Sequence, residues 1–447
     1  MLERLFRLRE KGTTPATELI AGCTTFAAMA YILIVNPAIL ADAGMPREAL
    51  VTATALGAAI ATLLMALLAN LPLAMAPGMG INAFFAYAVC IGMGVPWQSA
   101  LALVFLNGVI FLLLSLSGVR ERIVHALPIS LKAAICAGIG LFIAFIGLKN
   151  GGMIVAHPAT FVALGDLTQP PVALFAVGIL LTCVLIARGA PAAVLIAITV
   201  LALAGFAVPD GQGGMITKLP ASLVSPPASL EPLFLKLDFS FILKEPLKAL
   251  PVILALLLVD LFDNLGTLIA VTKRAGLVNE RGEIPGLSRA LVADSLAAIL
   301  SSLLGTSTVV SYVESATGAQ AGGRTGLTAV VVAILFLVAL VFTPLILAIP
   351  TVAVAPVLVV VGILMFSSVM EIDLSRFEIA APAVLTIATM PMAFSISTGI
   401  GIGVITMVAI ALGTGKNRES LTPFTCGLAV VFLIHFMEPL LFRMIGK

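Results

Sequence analysis

Long apolar runs recur along the whole chain and constrain its fold more than any other feature. A helix needs about 20 apolar residues to cross the hydrocarbon core of a bilayer, and the first run, 17–40, already meets that length. Charged residues make up only 10% of the 447 residues, against about 25% in soluble proteins. The low charge excludes an ordinary soluble enzyme, and a net charge of +2 gives no basic surface for nucleic acid. We predict an all-α integral membrane protein embedded in the lipid bilayer.

Polar breaks divide the apolar residues into fourteen predicted spans and one further run. The predicted spans cover 17–40, 49–70, 76–93, 97–117, 131–148, 170–187, 191–208, 247–272, 287–304, 307–321, 326–349, 355–370, 378–394 and 398–413. The further run, 424–442, either crosses the membrane or lies in its interface. Two blocks of seven spans around one long loop indicate a duplicated architecture. Its predicted segments are 1–16, 17–208 (repeat 1), 209–246 (extracytoplasmic loop), 247–415 (repeat 2) and 416–447.

The distribution of basic residues supports this count and gives an orientation. Short cytoplasmic loops collect Lys and Arg. With the N-terminus inside, the cytoplasmic side holds Arg4, Arg7, Arg9, Lys11, Arg120, Arg122, Lys132, Arg188, Lys273, Arg274, Arg281, Arg289, Arg324, Arg376, Lys416 and Arg418. The short outer loops hold only Arg47 and Lys149. We therefore predict a multi-pass protein of the cell (inner or plasma) membrane with a cytoplasmic N-terminus.

Two of the predicted spans, the third and the tenth, are poorly suited to a regular membrane helix. In the third, Pro77, Gly78 and Gly80 precede Asn82, and in the tenth the stretch 306–312 is β-branched and hydroxyl-rich, which favours a short extended segment. Non-helical backbone at membrane depth is tolerated only inside protein or beside a cavity. Interrupted spans at matching positions of two halves indicate a transporter binding site, whereas two structural kinks are the alternative.

Most acidic residues fall in loops or at the ends of predicted spans, but four, Asp260, Asp263, Asp294 and Glu314, lie further inside the spans. Each aspartate at the centre of a span costs about 2.5–3.5 kcal/mol on insertion scales. The nearest basic residue along the eighth span is Lys273, about 15 Å from Asp263 along a helix. Asp294 lies near the cytoplasmic end, where a polar contact at the helix end is the simpler interpretation. The other three carboxyl groups are expected to be protonated, hydrogen-bonded, or used to bind a ligand with hydrogen-bond donors.

Acidic side chains together with Asn82 suit a neutral, planar ligand that is rich in hydrogen-bond donors. Phe84 and Phe85 follow in the same span and could stack on such a ligand, although aromatic residues in a span more often serve packing. The five cysteines are dispersed, with no CxxC pair, so we expect small buried thiols and no metal site.

Four sequence blocks in this chain resemble a known family of transporters. Residues 25–37, 77–87, 260–267 and 312–327 closely resemble the AzgA-like purine permeases. These permeases form the adenine, guanine and hypoxanthine branch of the nucleobase–cation symporter-2 (xanthine/uracil permease) family. The blocks follow the family's order from about residue 17 to 415, nearly the whole chain. Thr317, where alanine is common, and Asn264, where threonine is common, depart from the family pattern.

The resemblance implies a fold of fourteen spans in two inverted repeats of seven. Spans 1–4 and 8–11 would form a core domain, and spans 5–7 and 12–14 a gate domain. The half-spans of 3 and 10 would meet near the midplane, and the nucleobase would lie between them and span 8. Such proteins often dimerise through the gate domain, so a homodimer is possible.

The resemblance also implies a function, a set of site residues and a coupling ion. The chain would import a purine (hypoxanthine, guanine or adenine) by proton symport with alternating access, without being an enzyme and without a cofactor beyond the coupling proton. Asp260, Asp263 and Glu314 would bind the purine and take part in proton coupling. Asn82 would contact the purine from span 3, and with Phe84, Phe85 and Val310 it completes the expected binding residues. The alternatives are a permease of the same fold for xanthine, urate or uracil, and a non-transporting membrane enzyme.

Overall fold

The structure is a computed structural model that describes residues 2–117, 127–220, 222–277, 284 and 286–444, without the side chains of Leu265 and 438–444. The helices of the first half are α1 Leu2–Phe6, α2 Pro15–Met29, α3 Ile32–Ala41, α4 Arg47–Leu68, α5 Met79–Ala83, α6 Trp97–Leu116, α7 Ile129–Asn150, α8 Pro170–Ala187 and α9 Ala193–Ala204. Those of the second half are α10 Ser240–Lys244, α11 Pro246–Arg274, α12 Leu287–Leu304, α13 Ser315–Gln320, α14 Gly326–Ala339, α15 Thr343–Leu347, α16 Thr351–Phe366, α17 Phe377–Met392, α18 Ile396–Thr414 and α19 Pro423–Met444. Of the basic residues assigned to the cytoplasmic side, Arg120, Arg122 and Arg281 lie outside the described residues.

The helices coincide with the predicted apolar runs to within a few residues. Within the described parts of the chain, ten helical segments are long and apolar enough to cross a membrane by length and composition. Four shorter apolar helices, Met79–Gly92, Ala193–Ala204, Phe377–Met392 and Pro423–Met437, occupy the remaining predicted runs other than the tenth. The chain is therefore a mostly helical, multi-pass membrane protein.

The two spans that were predicted to be irregular each contain a short strand, and the two strands pair with each other at the centre of the fold. Strand β1, Met75–Pro77, pairs antiparallel with β4, Val309–Ser311, so that Ala76 lies opposite Val310. The N–H of Gly78 donates to the carbonyl of Thr308 over 3.0 Å, which extends the pairing towards α5. The backbone polar groups of the two segments are thus satisfied partly by each other and partly by side chains, such as the Thr62 hydroxyl on the N–H and carbonyl of Met75. An apolar interior requires such partners. The predicted extended segments are confirmed.

Two further departures from regular helix lie close to these strands. The helix that follows β1 continues beyond α5 as a π-helix, Phe84–Gly92, and π-helical segments are often found at functional sites. The first membrane helix is interrupted between α2 and α3, where Ala30 and Tyr31 form the junction.

Helices α7 and α16 pack closely through glycine. A Cβ atom on Gly140 would lie 2.6 Å from the carbonyl oxygen of Gly362, and one on Gly362 would lie 2.4 Å from that of Gly140. Real Cβ atoms do not approach backbone so closely, so both positions require glycine. Small residues that let membrane helices approach are typical of helix–helix interfaces in bilayers.

The loops carry structure that the all-α prediction does not include. A β-hairpin, β2 Ile154–His157 with β3 Phe161–Leu164, lies between α7 and α8. The long segment between α9 and α10 is tied to the helices by hydrogen bonds: the Thr52 hydroxyl donates to the carbonyl of Ala228 over 3.0 Å, and the N–H of Leu235 donates to that of Leu303 over 2.9 Å. This segment is therefore held against α4 and α12.

Candidate functional site

A cavity of about 510 Å³ lies beside the paired strands. It is bounded by the α2–α3 junction, the start of α5, the first half of α7, the middle of α11, strand β4 and the end of α16. Among its lining residues are Tyr31, Lys132, Cys136, Asp263, Val310, Tyr312, Glu314 and Glu371. Its volume falls in the range of small-molecule sites, about 300–1,000 Å³.

Asp263 and Glu314 both face this cavity from different elements. Asp263 projects from the middle of α11, and Glu314 lies at the turn between β4 and α13. Both side chains are half-buried. One oxygen of Glu314, Oε1, accepts a hydrogen bond of 2.5 Å from the hydroxyl of Tyr31. The structure thus brings together the two acids that the sequence predicted as the centre of the site.

Two helices begin at the cavity wall. Residues Gly78, Met79 and Gly80, at the start of α5, line the cavity, and so does Glu314 immediately before α13. The first N–H groups of a helix have no partner within the helix. The first three N–H groups of α13 already donate to the carbonyls of Tyr312, Val313 and Glu314. The site therefore presents carboxylate oxygens as acceptors and the N-terminus of α5 as a donor.

Asp260 lies one turn before Asp263 but is not among the described residues that line the cavity. It is 1% exposed, and its carboxylate accepts hydrogen bonds from the Nδ2 atoms of Asn264 (2.6 Å) and Asn107 (3.3 Å). The Oδ1 atom of Asn264 in turn accepts the N–H of Ser311 in β4 over 2.7 Å. Asp260 therefore links α6, α11 and β4 behind the cavity wall.

Asn82, Phe84 and Phe85 are also buried, and none of them is among the described cavity-lining residues. Asn82 accepts a short hydrogen bond from the hydroxyl of Ser307, which fixes α5 to the residues before β4. Phe84 and Phe85 belong to the largest buried apolar cluster. In this structure the three residues support the wall and do not form its surface.

Of the remaining predicted residues, Val310 lines the cavity and Asp294 does not. Val310 lies in β4 opposite Ala76 and contributes an apolar surface between Tyr312 and the start of α5. Asp294 is 1% exposed in the middle of α12. It lies outside the set of described residues that face the cavity.

Several polar residues of the cavity were not predicted as site residues from the sequence, among them Tyr31, Lys132, Cys136 and Glu371. Lys132 was assigned to a cytoplasmic helix end. Its Nζ atom lies 5.8 Å from the ring centroid of Phe262, next to Asp263. Glu371 is exposed and is the last residue of the short 3₁₀ helix that follows α16. The cavity therefore reaches the surface beside Glu371. Only packing brings these residues together, although Tyr31 belongs to one of the sequence blocks that carry the resemblance.

A second polar cluster, the outer network, lies at the opposite end of α7. It consists of Asp42, Tyr87 and Asn150: the Tyr87 hydroxyl donates to Asp42 Oδ2 over 2.7 Å and accepts from Asn150 Nδ2 over 2.9 Å. Lys132 and Asn150 are separated by about 27 Å along the helix, at 1.5 Å per residue. The outer network therefore joins α3 and the π-helical segment to α7 at the end farthest from the cavity mouth.

Comparisons with known proteins identify the family of the chain. The family model Xan_ur_permease, described as "Permease family", matches residues 16–408. The chain is 43% identical to the adenine permease AdeP of Escherichia coli (strain K12), over 98% of this chain and 96% of that protein. It is 42% identical to the guanine/hypoxanthine permease PbuG of Bacillus subtilis (strain 168), over 98% and 99% of the two chains.

Among solved structures, the fold is similar to the transmembrane domain of a cyanobacterium bicarbonate transporter, BicA. The TM-score is 0.63 at 17% identity, over 85% of this chain and 96% of that one, so the likeness concerns the fold alone. The family match and the identity to whole permeases identify the chain more closely. The relatives of this chain include adenine and guanine/hypoxanthine permeases, which are transporters and not enzymes. The protein is therefore not an enzyme but a member of the Xan_ur_permease family of permeases.

Proposed function

We propose that this protein imports a purine nucleobase (hypoxanthine, guanine or adenine) by proton symport. The observation that carries the proposal is the convergence of Asp263 and Glu314 on one cavity. A purine is planar and neutral, and its edge carries N–H donors that carboxylate oxygens accept. Its ring nitrogens and any exocyclic oxygen are acceptors, to which the N–H groups at the start of α5 can donate. The apolar surface of Val310 and the ring of Tyr312 suit the faces of the base.

In this proposal the site residues have two kinds of role. Asp263 and Glu314 bind the purine, and Glu314 carries the coupling proton. Asp260 and Asn82 hold the backbone of β4 and α5 in place, and Phe84 and Phe85 pack behind them. Coupling requires that the proton and the purine stabilise one conformation together more than the other. No cofactor beyond the proton is needed.

The proposed architecture has fourteen spans in two inverted repeats of seven. The paired strands β1 and β4 support it, because they place the third and tenth runs face to face at the centre. Spans 1–4 and 8–11 form the core domain and spans 5–7 and 12–14 the gate domain, so that the cavity lies between the two. We place the N-terminus in the cytoplasm, the protein in the cell membrane, and a homodimer contact on the gate domain.

Uptake of labelled purines tests this function. Cells without their own nucleobase permeases, expressing this protein, should accumulate labelled hypoxanthine, guanine or adenine, and more at low external pH. Unlabelled xanthine, urate and uracil serve as competitors and distinguish a permease for another base. Proteoliposomes containing the purified protein should accumulate the base chemically unchanged, whereas an altered product would contradict transport.

Alternating access gives a further expectation for the outer network. The cavity reaches the surface beside Glu371, while Asp42, Tyr87 and Asn150 close the far end, so we propose that this network must open when the cavity faces outward. Tyr87→Phe removes both hydrogen bonds, each worth about 1 kcal/mol. The fraction of outward-facing protein should therefore rise. In a variant that keeps Cys136 as its sole cysteine, alkylation of that thiol from the cytoplasmic side should slow by about 3- to 10-fold.

The control for that measurement is Cys136→Ser in the same background, which should not react with the alkylating reagent. A Tyr87→Phe protein that is alkylated at the same rate as its parent would show that the outer network does not change between the two conformations.

A further inference from the structure

Tyr31 is the described residue in closest polar contact with the proposed coupling acid. It lies at the junction between α2 and α3, lines the cavity and is 2% exposed. Its hydroxyl donates to Glu314 Oε1 over 2.5 Å across 283 residues of sequence. A distance in the range 2.5–2.7 Å is typical of an O–H donor bonded to an ionised carboxylate, which is among the stronger hydrogen bonds in proteins.

We infer that Tyr31 is a positioning residue for Glu314 that favours its ionised form and leaves only its second oxygen for the ligand. This inference rests on the proposed function. A hydrogen bond donated to the charged form of an acid stabilises that form relative to the protonated one. With Oε1 occupied by Tyr31, the carboxylate cannot rotate freely, so Oε2 is the oxygen that accepts a purine N–H or the coupling proton.

Other groups also face Glu314 and bear on its protonation. From the elements packed around the cavity these are Tyr31, Lys132, Cys136, Asp263, Tyr312 and Glu371. Among these residues Tyr31 alone has a hydrogen bond to the Glu314 carboxylate in the described structure, so it differs from the others in acting through a direct bond. Its removal should change the proton affinity of Glu314 and leave the remaining surroundings in place.

The chain offers a matched control in Tyr312. This residue is also a buried tyrosine that lines the same cavity. Its hydroxyl, however, donates to the backbone carbonyl of Pro77 over 2.6 Å and not to Glu314. Tyr31→Phe and Tyr312→Phe therefore each remove one hydroxyl from the same cavity, and only the first removes a bond to the coupling acid.

The test compares the pH dependence of purine uptake in proteoliposomes for wild type, Tyr31→Phe and Tyr312→Phe. Without its donor, Glu314 should stay protonated to a higher pH. We expect the external pH at half-maximal uptake to move upward by about one unit in Tyr31→Phe and to stay unchanged in Tyr312→Phe. The maximal rate of Tyr31→Phe should fall, because release of the proton on the cytoplasmic side becomes slower.

A double-mutant cycle separates this role from a general effect on the fold. In a Glu314→Gln background, Tyr31→Phe should change the affinity for labelled purine less than twofold. In the wild-type background the same substitution should change that affinity by more than twofold. If Tyr31→Phe does not reach the membrane, Tyr31→Gln, whose side chain is too short to reach the same oxygen, replaces it with the same expected shift.

The outcomes distinguish this inference from the proposed function. A wild-type protein that takes up no purine would overturn the proposed function itself. A transporting wild type whose pH profile is the same with and without the Tyr31 hydroxyl, or shifts equally in Tyr312→Phe, would overturn the role of Tyr31 alone.

Discussion

Asp263→Asn is expected to reduce purine uptake by about 10- to 100-fold at a subsaturating concentration. The carboxylate faces the cavity from α11 and accepts N–H groups of the base in the proposed site, whereas an amide has one acceptor oxygen and adds a donor. Loss of a hydrogen bond to a charged group is worth about 1.5–3 kcal/mol, and each 1.4 kcal/mol is tenfold in affinity. Initial rates of uptake at several purine concentrations separate the loss of affinity from a loss of maximal rate.

The matched control is Asp260→Asn, the same chemical change one turn away on the same helix. Asp260 is buried against Asn264 and Asn107, so its replacement should disturb the support of β4 and lower the maximal rate and the thermal stability. Its apparent affinity for the purine should stay within about threefold of wild type. Equal losses of affinity in the two variants would contradict the assignment of Asp263, and not Asp260, to the ligand.

The contrast between these two aspartates shows what the sequence could and could not predict. Residue type, the lack of a basic partner nearby along the chain and the position inside a span indicated both Asp260 and Asp263 as ligand-binding residues. A spacing of three residues leaves about 60° between two side chains on a helix. That angle suffices to turn Asp263 into the cavity and Asp260 towards α6, where Asn107 meets it. The position of α6 relative to α11 is a property of the packing and is not encoded in local spacing.

The backbone of the site was more accessible to prediction than its side-chain contacts. Proline, glycine and β-branched residues act on the local backbone, so the extended segments of β1 and β4 follow from their own sequences. Asn264 shows the limit: it is a departure from the family pattern, and only the structure shows that its amide connects Asp260 to the N–H of Ser311.

Two of the polar residues that the sequence did not reveal, Lys132 and Tyr31, reach the cavity from a helix end and from a junction. Lys132 lies in the first turn of α7 and was assigned to the cytoplasmic surface, but its long side chain extends over the ring of Phe262. Long basic side chains commonly extend along apolar surface in this way. Tyr31 meets Glu314 only because the interrupted first membrane helix packs beside α13, a contact between residues 283 positions apart.

Glu314→Gln is expected to abolish accumulation of purine against its concentration gradient while exchange of purine across the membrane continues at a reduced rate. Glutamine resembles a permanently protonated glutamate. The variant transporter can therefore close around the base, but residue 314 has no proton to release. With one proton per purine, an inward gradient of two pH units supports about 100-fold accumulation, since each unit is worth 1.36 kcal/mol. Glu314→Gln proteoliposomes should show no accumulation with that gradient, and counterflow of labelled purine should be independent of pH.

The matched control is Glu371→Gln, the same change at the exposed edge of the same cavity. Water reaches Glu371, so its charge is screened and its loss should leave accumulation driven by the pH gradient within about twofold of wild type. If Glu314→Gln still accumulates purine in response to the gradient, the coupling proton is carried by another group. Asp263 is then the remaining acid of the inner cavity, and Asp263→Asn in the same proteoliposomes decides whether it carries the proton.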